Sequence, residues 1–223
     1  MKFLIHACPS RMWYVDEFLI PSLVAQGADN IDVWNDTEGK GNLLACMDSF
    51  AACEDDGGTW HLQDDVIICR DFVKRCAELD NGVVYGFTCG QFGDDPQQTG
   101  TVYAADAWHS FQCIRIPNEI ARECAEWFFS GEWKNSGVAE LFALYALGQG
   151  DDTFFRAFAQ IYHGHETMTN VKPNLVNHVD WIIGGSILSP WRGFIAEAHY
   201  WDDDDLLTEL RHQIRMRNAQ PQK

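Results

Sequence analysis

The sequence predicts an α/β fold with a mostly parallel central sheet flanked by helices. Short apolar runs alternate with helical patterns through residues 1–90, in the order strand, helix, strand, helix, strand, helix, strand. The central run lacks polar alternation, as a strand covered on both faces does. No Pro/Gly/Ser-rich linker divides the 223 residues, so residues 1–223 read as one domain, with 14 Phe and 9 Trp to build its core.

Lys2 to Ala7 reads as the first strand. It runs into a loop, Cys8-Pro9-Ser10-Arg11, because Pro9 cannot continue a ladder. Met12 to Gln26 is a helix carrying Trp13, Phe18, Leu19, Leu23 and Val24, bent near Pro21 and ended by Gly27. Ile31 to Trp34 is a second strand that stops at Asn35-Asp36. The glycine-containing loop Thr37 to Asn42 leads into a helix reaching about Cys53. That helix has Leu43, Leu44, Met47, Phe50 and Ala51 on one face and Asn42 as its expected N-cap.

Thr59 to Phe72 is the central apolar run, interrupted by Asp64-Asp65, and Arg70 to Glu78 returns the chain as a helix before a strand over Val83 to Thr88. Gly90 to Ser110 is polar and irregular, long enough for a lid or an acceptor-binding segment, or equally for plain surface. Phe111 to Ile116 alternates into a strand, and Pro117 opens a helix to Phe129 in the favoured first-turn position. The apolar helix Val138 to Leu147 is closed by Gly148-Gln149-Gly150. Asp151-Asp152 then precede a helix over Phe154 to Ile161, and one of the two acids is expected to cap it. Residues 201–223 read as an amphipathic helix with Asp202 to Asp205 at its start. Arg211, His212, Arg215, Arg217 and Lys223 lie toward its end, as the helix dipole favours.

The net charge of -17 argues against broad binding to nucleic acid or anionic lipid, which needs clustered Lys and Arg. Eight cysteines scattered mostly in apolar segments, with no Cys-x-x-Cys pair, look like buried free thiols rather than disulfides or a zinc site. The opening apolar run is too short for a signal peptide or a membrane span, so the expectation is a soluble cytoplasmic protein.

The chemistry is expected at Asp64 and Asp65. Burying a carboxylate inside a strand costs several kcal/mol without a partner, so the pair belongs where the strand emerges, facing a cation. Open α/β sheets bind ligands at the carboxyl ends of their strands, and paired acids there suit a hard divalent ion shared with a phosphate-bearing substrate. A solvated turn is the competing reading of the same pair. Lys40, between two glycines, can approach a phosphate or be a surface lysine, since Gly-Lys-Gly lacks P-loop spacing. His178, beside valines, reads on its own as a satisfied core residue.

Taken together, four features resemble a DxD-type glycosyltransferase of the Rossmann-like GT-A fold. They are Gln63-Asp64-Asp65-Val66, the loop Asp36 to Asn42 before a helix, Gly150-Asp151-Asp152, and Pro173-Asn174-Leu175-Val176-Asn177-His178 close to Gly184-Gly185-Ser186. The resemblance implies a nucleotide-sugar-binding half at 1–90, an acceptor-binding half at 91–200 and a C-terminal helix at 201–223. It implies Mn2+ or Mg2+ on Asp65 and His178, and Asp64 on the donor ribose or sugar. Gln63 stands where many members of the family keep an acid, and it can only hydrogen-bond. Ala7, Pro9, Ser10 and Arg11 would wrap the nucleotide, with Asp36, Lys40 and Asn42 nearby, and Asp152, then Asp151, would be the base toward the acceptor.

The activity implied is transfer of a sugar from a nucleotide-sugar, a UDP-sugar foremost, to a hydroxyl of a glycan, protein or modified nucleobase, with inversion if an Asp acts as base. The alternatives are a catalytically degenerate sugar- or nucleotide-binding module and a metal-dependent nucleotidyltransferase. Trp108 and Trp181 are candidate sugar-stacking platforms.

Overall fold

The computed structural model describes residues 1–54, 57–79, 85–87, 101–104, 112–162, 167–170, 174–183 and 203–219. Its α/β core is a seven-stranded sheet in the order β2-β1-β3-β7-β5-β8-β6. These strands are β1 (Lys2–Ala7), β2 (Ile31–Asn35), β3 (Gly58–Gln63), β5 (Tyr85–Phe87), β6 (Thr101–Ala104), β7 (Cys113–Pro117) and β8 (Thr167–Asn170). The sheet is mixed. β1 runs parallel to β2 and β3, and β5 parallel to β8, whereas β7 is antiparallel to both β3 and β5, and β6 to β8.

The acid pair ends the main strand. Residues 64 and 65 form a turn after β3, and the apolar run resumes as β4 (Val66–Ile68), which leaves the large sheet and pairs antiparallel with β9 (Val176–His178). The single central run expected from the sequence is therefore two strands in two sheets.

Helices cover both faces. On one, Phe3, Ile5, Trp60 and Leu62 pack with Tyr14, Leu19, Leu23, Phe72 and, from the C-terminal helix, Leu207, Leu210 and Ile214. On the other, Ile114 and Ile116 pack under Leu43, Met47, Phe50, Phe128, Phe154 and Phe155. Strand side chains alternate between the faces, so β1, β3 and β7 each feed both layers. Full burial of each large side chain contributes about 1.5–3 kcal/mol.

The helices are α1 (Met12–Tyr14), α2 (Ile20–Ala25), α3 (Asn42–Ala51), α4 (Phe72–Ala77), α5 (Asn118–Ser130), α6 (Ala139–Ala146), α7 (Asp151–Ala157), α8 (Asp180–Ile183) and α9 (Asp204–Ala219). The bend expected near Pro21 is a π-helical turn, Val15–Leu19, between α1 and α2. Proline has no N–H to donate to the preceding turn, and a wider turn accommodates the loss. Pro117 closes β7 and stands just before α5, one position earlier than expected. The strand expected over 83–88 is described at Tyr85–Phe87 only, and the segment 90–110, apart from β6, lies outside the described residues.

Candidate functional site

The first link after β1 sets one wall of the site. Pro9–Arg11 turn as a short 3-10 helix, leaving Pro9 and Ser10 exposed while Arg11 folds inward. Parallel pairing of β1 with β3 brings this turn beside the acids that follow Gln63. Because β2 lies on one side of β1 and β3 on the other, the junction is a topological switch point, the place where open α/β sheets leave a crevice.

Both acids are buried there. Asp64 accepts the backbone N–H of Cys8 at 2.8 Å, and its Oδ1 pairs with Arg11 Nη2 at 3.0 Å. Asp65 Oδ2 pairs with Arg11 Nη1 and lies 3.1 Å from His178 Nε2. The small sheet places that imidazole, since β4–β9 register sets Val66 opposite His178. Val179 N–H donates to the Asp65 carbonyl at 2.8 Å, and the Tyr14 hydroxyl donates to the Val66 carbonyl at 2.9 Å, so the turn is anchored on both sides. A solvated turn does not describe this pair, which is 2% and 6% exposed.

The two carboxyls differ electrically. Burial raises Asp64 to about 6, with Asp65 adding to the rise and Arg11 opposing it. Burial pushes Asp65 upward too, but His178 and Arg11 more than offset it and hold the group at about 2.

Two buried polar atoms here, Asp65 Oδ1 and Arg11 Nε, have no hydrogen-bond partner among the described residues. Each such atom costs about 1–3 kcal/mol while unanswered. Asp65 Oδ2 and His178 Nε2, at 3.1 Å, match the edge of an octahedron whose ligands stand about 2.1 Å from the ion, an edge of about 3.0 Å. Among the described residues no three His, Cys, Asp or Glu surround one point.

A second wall comes from α3 and α7. Asp36 follows β2 and accepts the backbone N–H groups of Lys40 and Gly41, each at 2.9 Å, closing the loop over residues 36–41. The Asp36 N–H donates to the Ala7 carbonyl at 2.8 Å, tying that loop to β1. The cap position of α3 belongs to Gly41 at φ 85°, not Asn42 as expected. The Asn42 amide instead donates to Asp151 Oδ1 at 3.0 Å, and Gln63 Nε2 makes a longer contact, 3.5 Å, with Asp151 Oδ2. The Lys40 ammonium is held by Asp48 at 2.8 Å and Glu38 at 3.0 Å.

Neither acid caps α7, because Gly150, at φ 87°, occupies that position. Asp152 is half-buried and accepts the N–H of Thr153 at 2.7 Å. Asp151 is buried, and burial together with the neighbouring Asp152 charge raises it to about 7. A helix N-terminus favours an ionised acid, but here desolvation outweighs it.

The structure thus joins Arg11, Asp64, Asp65 and His178, and separately links Gln63, the residue before the acid pair, to Asn42 and Asp151. Trp108 lies outside the described residues, and Trp181 falls within α8. The Tyr14 anchor and the Asn42–Asp151 bond escape sequence reasoning because their partners lie 52 and 109 residues away. Arg11 carried one legible signal, a cation just after a strand, but its partners depend on strand order. No family model matches the chain, and no curated protein matches it significantly.

Proposed function

We propose that the protein is a metal-assisted glycosyltransferase of GT-A type that moves a sugar from a nucleotide-sugar, a UDP-sugar foremost, to a hydroxyl acceptor. The observation that carries this reading is the buried Asp64-Asp65 turn at the β1/β3 switch point, where Arg11 and His178 both reach Asp65 Oδ2 and Arg11 also pairs with Asp64. Strand direction supports it as well. β2, β1, β3, β5 and β8 point one way, so their carboxyl ends share the sheet edge that carries the acids.

In this reading Asp65 and His178 hold Mn2+ or Mg2+. A bound divalent ion neutralises the charge that develops on the leaving diphosphate as the sugar C1–O bond breaks. Asp64, positioned by the Cys8 N–H, accepts a hydroxyl of the donor ribose or sugar. The base is Asp151 in preference to Asp152. Its carboxyl at about 7 is matched to taking a proton near neutrality, and Asn42 and Gln63 orient it. The acceptor is a hydroxyl on a glycan, a protein or a modified nucleobase.

Arg11 already pairs with both acids, and that favours one rival, a nucleotide- or sugar-binding module without catalysis. Calorimetry with UDP, with and without Mn2+, and UDP release from UDP-glucose, UDP-galactose and UDP-GlcNAc separate the two. The expected results are Mn2+-enhanced UDP binding that disappears in Asp65→Ala, and turnover about 10²–10⁴ lower in Asp151→Asn with UDP affinity retained. UDP binding indifferent to Mn2+ and to Asp65→Ala would overturn the metal role. Metal-enhanced binding without UDP release from any donor would leave the binding module.

A further inference from the structure

On the nucleotide-sugar reading just given, we infer that Arg11 is a displaceable internal cation. It holds Asp65 while no divalent ion is bound and passes to the donor diphosphate when the ion enters, so that ion and diphosphate bind cooperatively.

The oxygen in question is shared. Asp65 Oδ2 takes Arg11 Nη1 and is also the atom facing His178 Nε2 at 3.1 Å. An ion seated between that oxygen and the imidazole stands against the guanidinium, and two positive charges at such range repel strongly in a buried setting. Asp64 Oδ1, 3.0 Å from Nη2, offers Arg11 a second anchor about which Nη1 can leave Asp65. The Arg11 Nε has no partner among the described residues, and neither does Asp65 Oδ1. A diphosphate answers the first, and the divalent ion answers the second.

Charge leads to the same arrangement. The two carboxylates sum to -2 and Arg11 brings the site to -1, a balance that holds the acids together without metal. A divalent ion reverses the sign and makes a polyanion the required companion. The planar guanidinium fork fits phosphate oxygens in a bidentate manner, which a lysine at this position would not do. By linkage, whatever factor the ion adds to diphosphate affinity, the diphosphate adds to ion affinity.

The experiment measures Mn2+ binding by the loss of the free-ion paramagnetic resonance signal, with and without UDP, corrected for Mn2+ held by UDP itself. In wild type, UDP tightens Mn2+ binding by roughly tenfold or more. In Arg11→Gln, Mn2+ alone binds roughly tenfold more tightly than in wild type, and UDP adds little further. Arg11→Lys keeps a charge that reaches a single carboxylate, so it is expected to fall between the two and carries the test if the Gln variant does not fold. Mn2+ affinity unchanged or weakened in both variants, with wild type binding normally, overturns the inference and leaves the glycosyltransferase reading standing. Failure of wild type to bind Mn2+ even with UDP overturns both.

Discussion

At the scale of single residues, the most informative group is Asp151. Its carboxyl is raised from 3.8 to about 7, so the folded protein holds a proton that the unfolded chain releases. A raised carboxyl contributes stability below its unfolded value, and that contribution is lost as pH climbs through the folded value. Between pH 5 and pH 8 the Tm of Asp151→Asn should therefore gain on that of wild type, and a difference that stays flat would show that the carboxyl is not raised. The comparison isolates Asp151 from the buried His6–His61 pair, which acts in the opposite direction. Those rings meet at 2.9 Å, and burial lowers both, His6 to about 4, so their contribution is lost as pH falls. Residue type alone marked Asp64, Asp65 and Asp151 as candidates. Whether each is charged was not legible, because desolvation depends on what the fold packs around it.

At the scale of elements, the candidate base is positioned by two glycine turns pressed together. A Cβ on Gly41 would stand 2.5 Å from the Gly148 carbonyl oxygen, and Gly41 itself has φ 85°. Gly39 also has positive φ but nothing within 4 Å of its would-be Cβ. Gly41→Ala should therefore lower both Tm and turnover well beyond Gly39→Ala, by separating Asn42 from Asp151. Equal effects of the two substitutions would show that backbone strain alone is responsible. The helices α3, α5 and α6 were readable to within two residues at their ends. Strands β4 and β9, three residues each, were not readable as a pair. Their register is set by pairing across more than 100 residues of chain, and no local pattern records it.

At the scale of the whole molecule, the last helix completes the layer begun by the first strand. Leu207, Leu210 and Ile214 of α9 pack with Phe3, Ile5 and Trp60, and Arg217 lies 4.2 Å over the Trp13 ring while bonding Glu17. The C-terminal basic residues thus include one committed to the N-terminal helices rather than to a partner. If the two layers fold as one unit, Leu210→Ala on one face and Phe154→Ala on the other should each lower the midpoint of a single urea transition, with a loss of about 2–5 kcal/mol in unfolding free energy. Two separable transitions would show that the faces are independent.

What the sequence by itself determined is the α/β class, the helices with a clear apolar face, and the residue types able to do polar chemistry, because these follow from local periodicity and side-chain chemistry. The tertiary structure alone decided that the run after the acids leaves the main sheet to pair with β9, that Arg11 and His178 converge on Asp65, and that Asp151 is the buried acid of its pair. Those facts come from strand order, register and burial, which arise only when distant segments exclude water together.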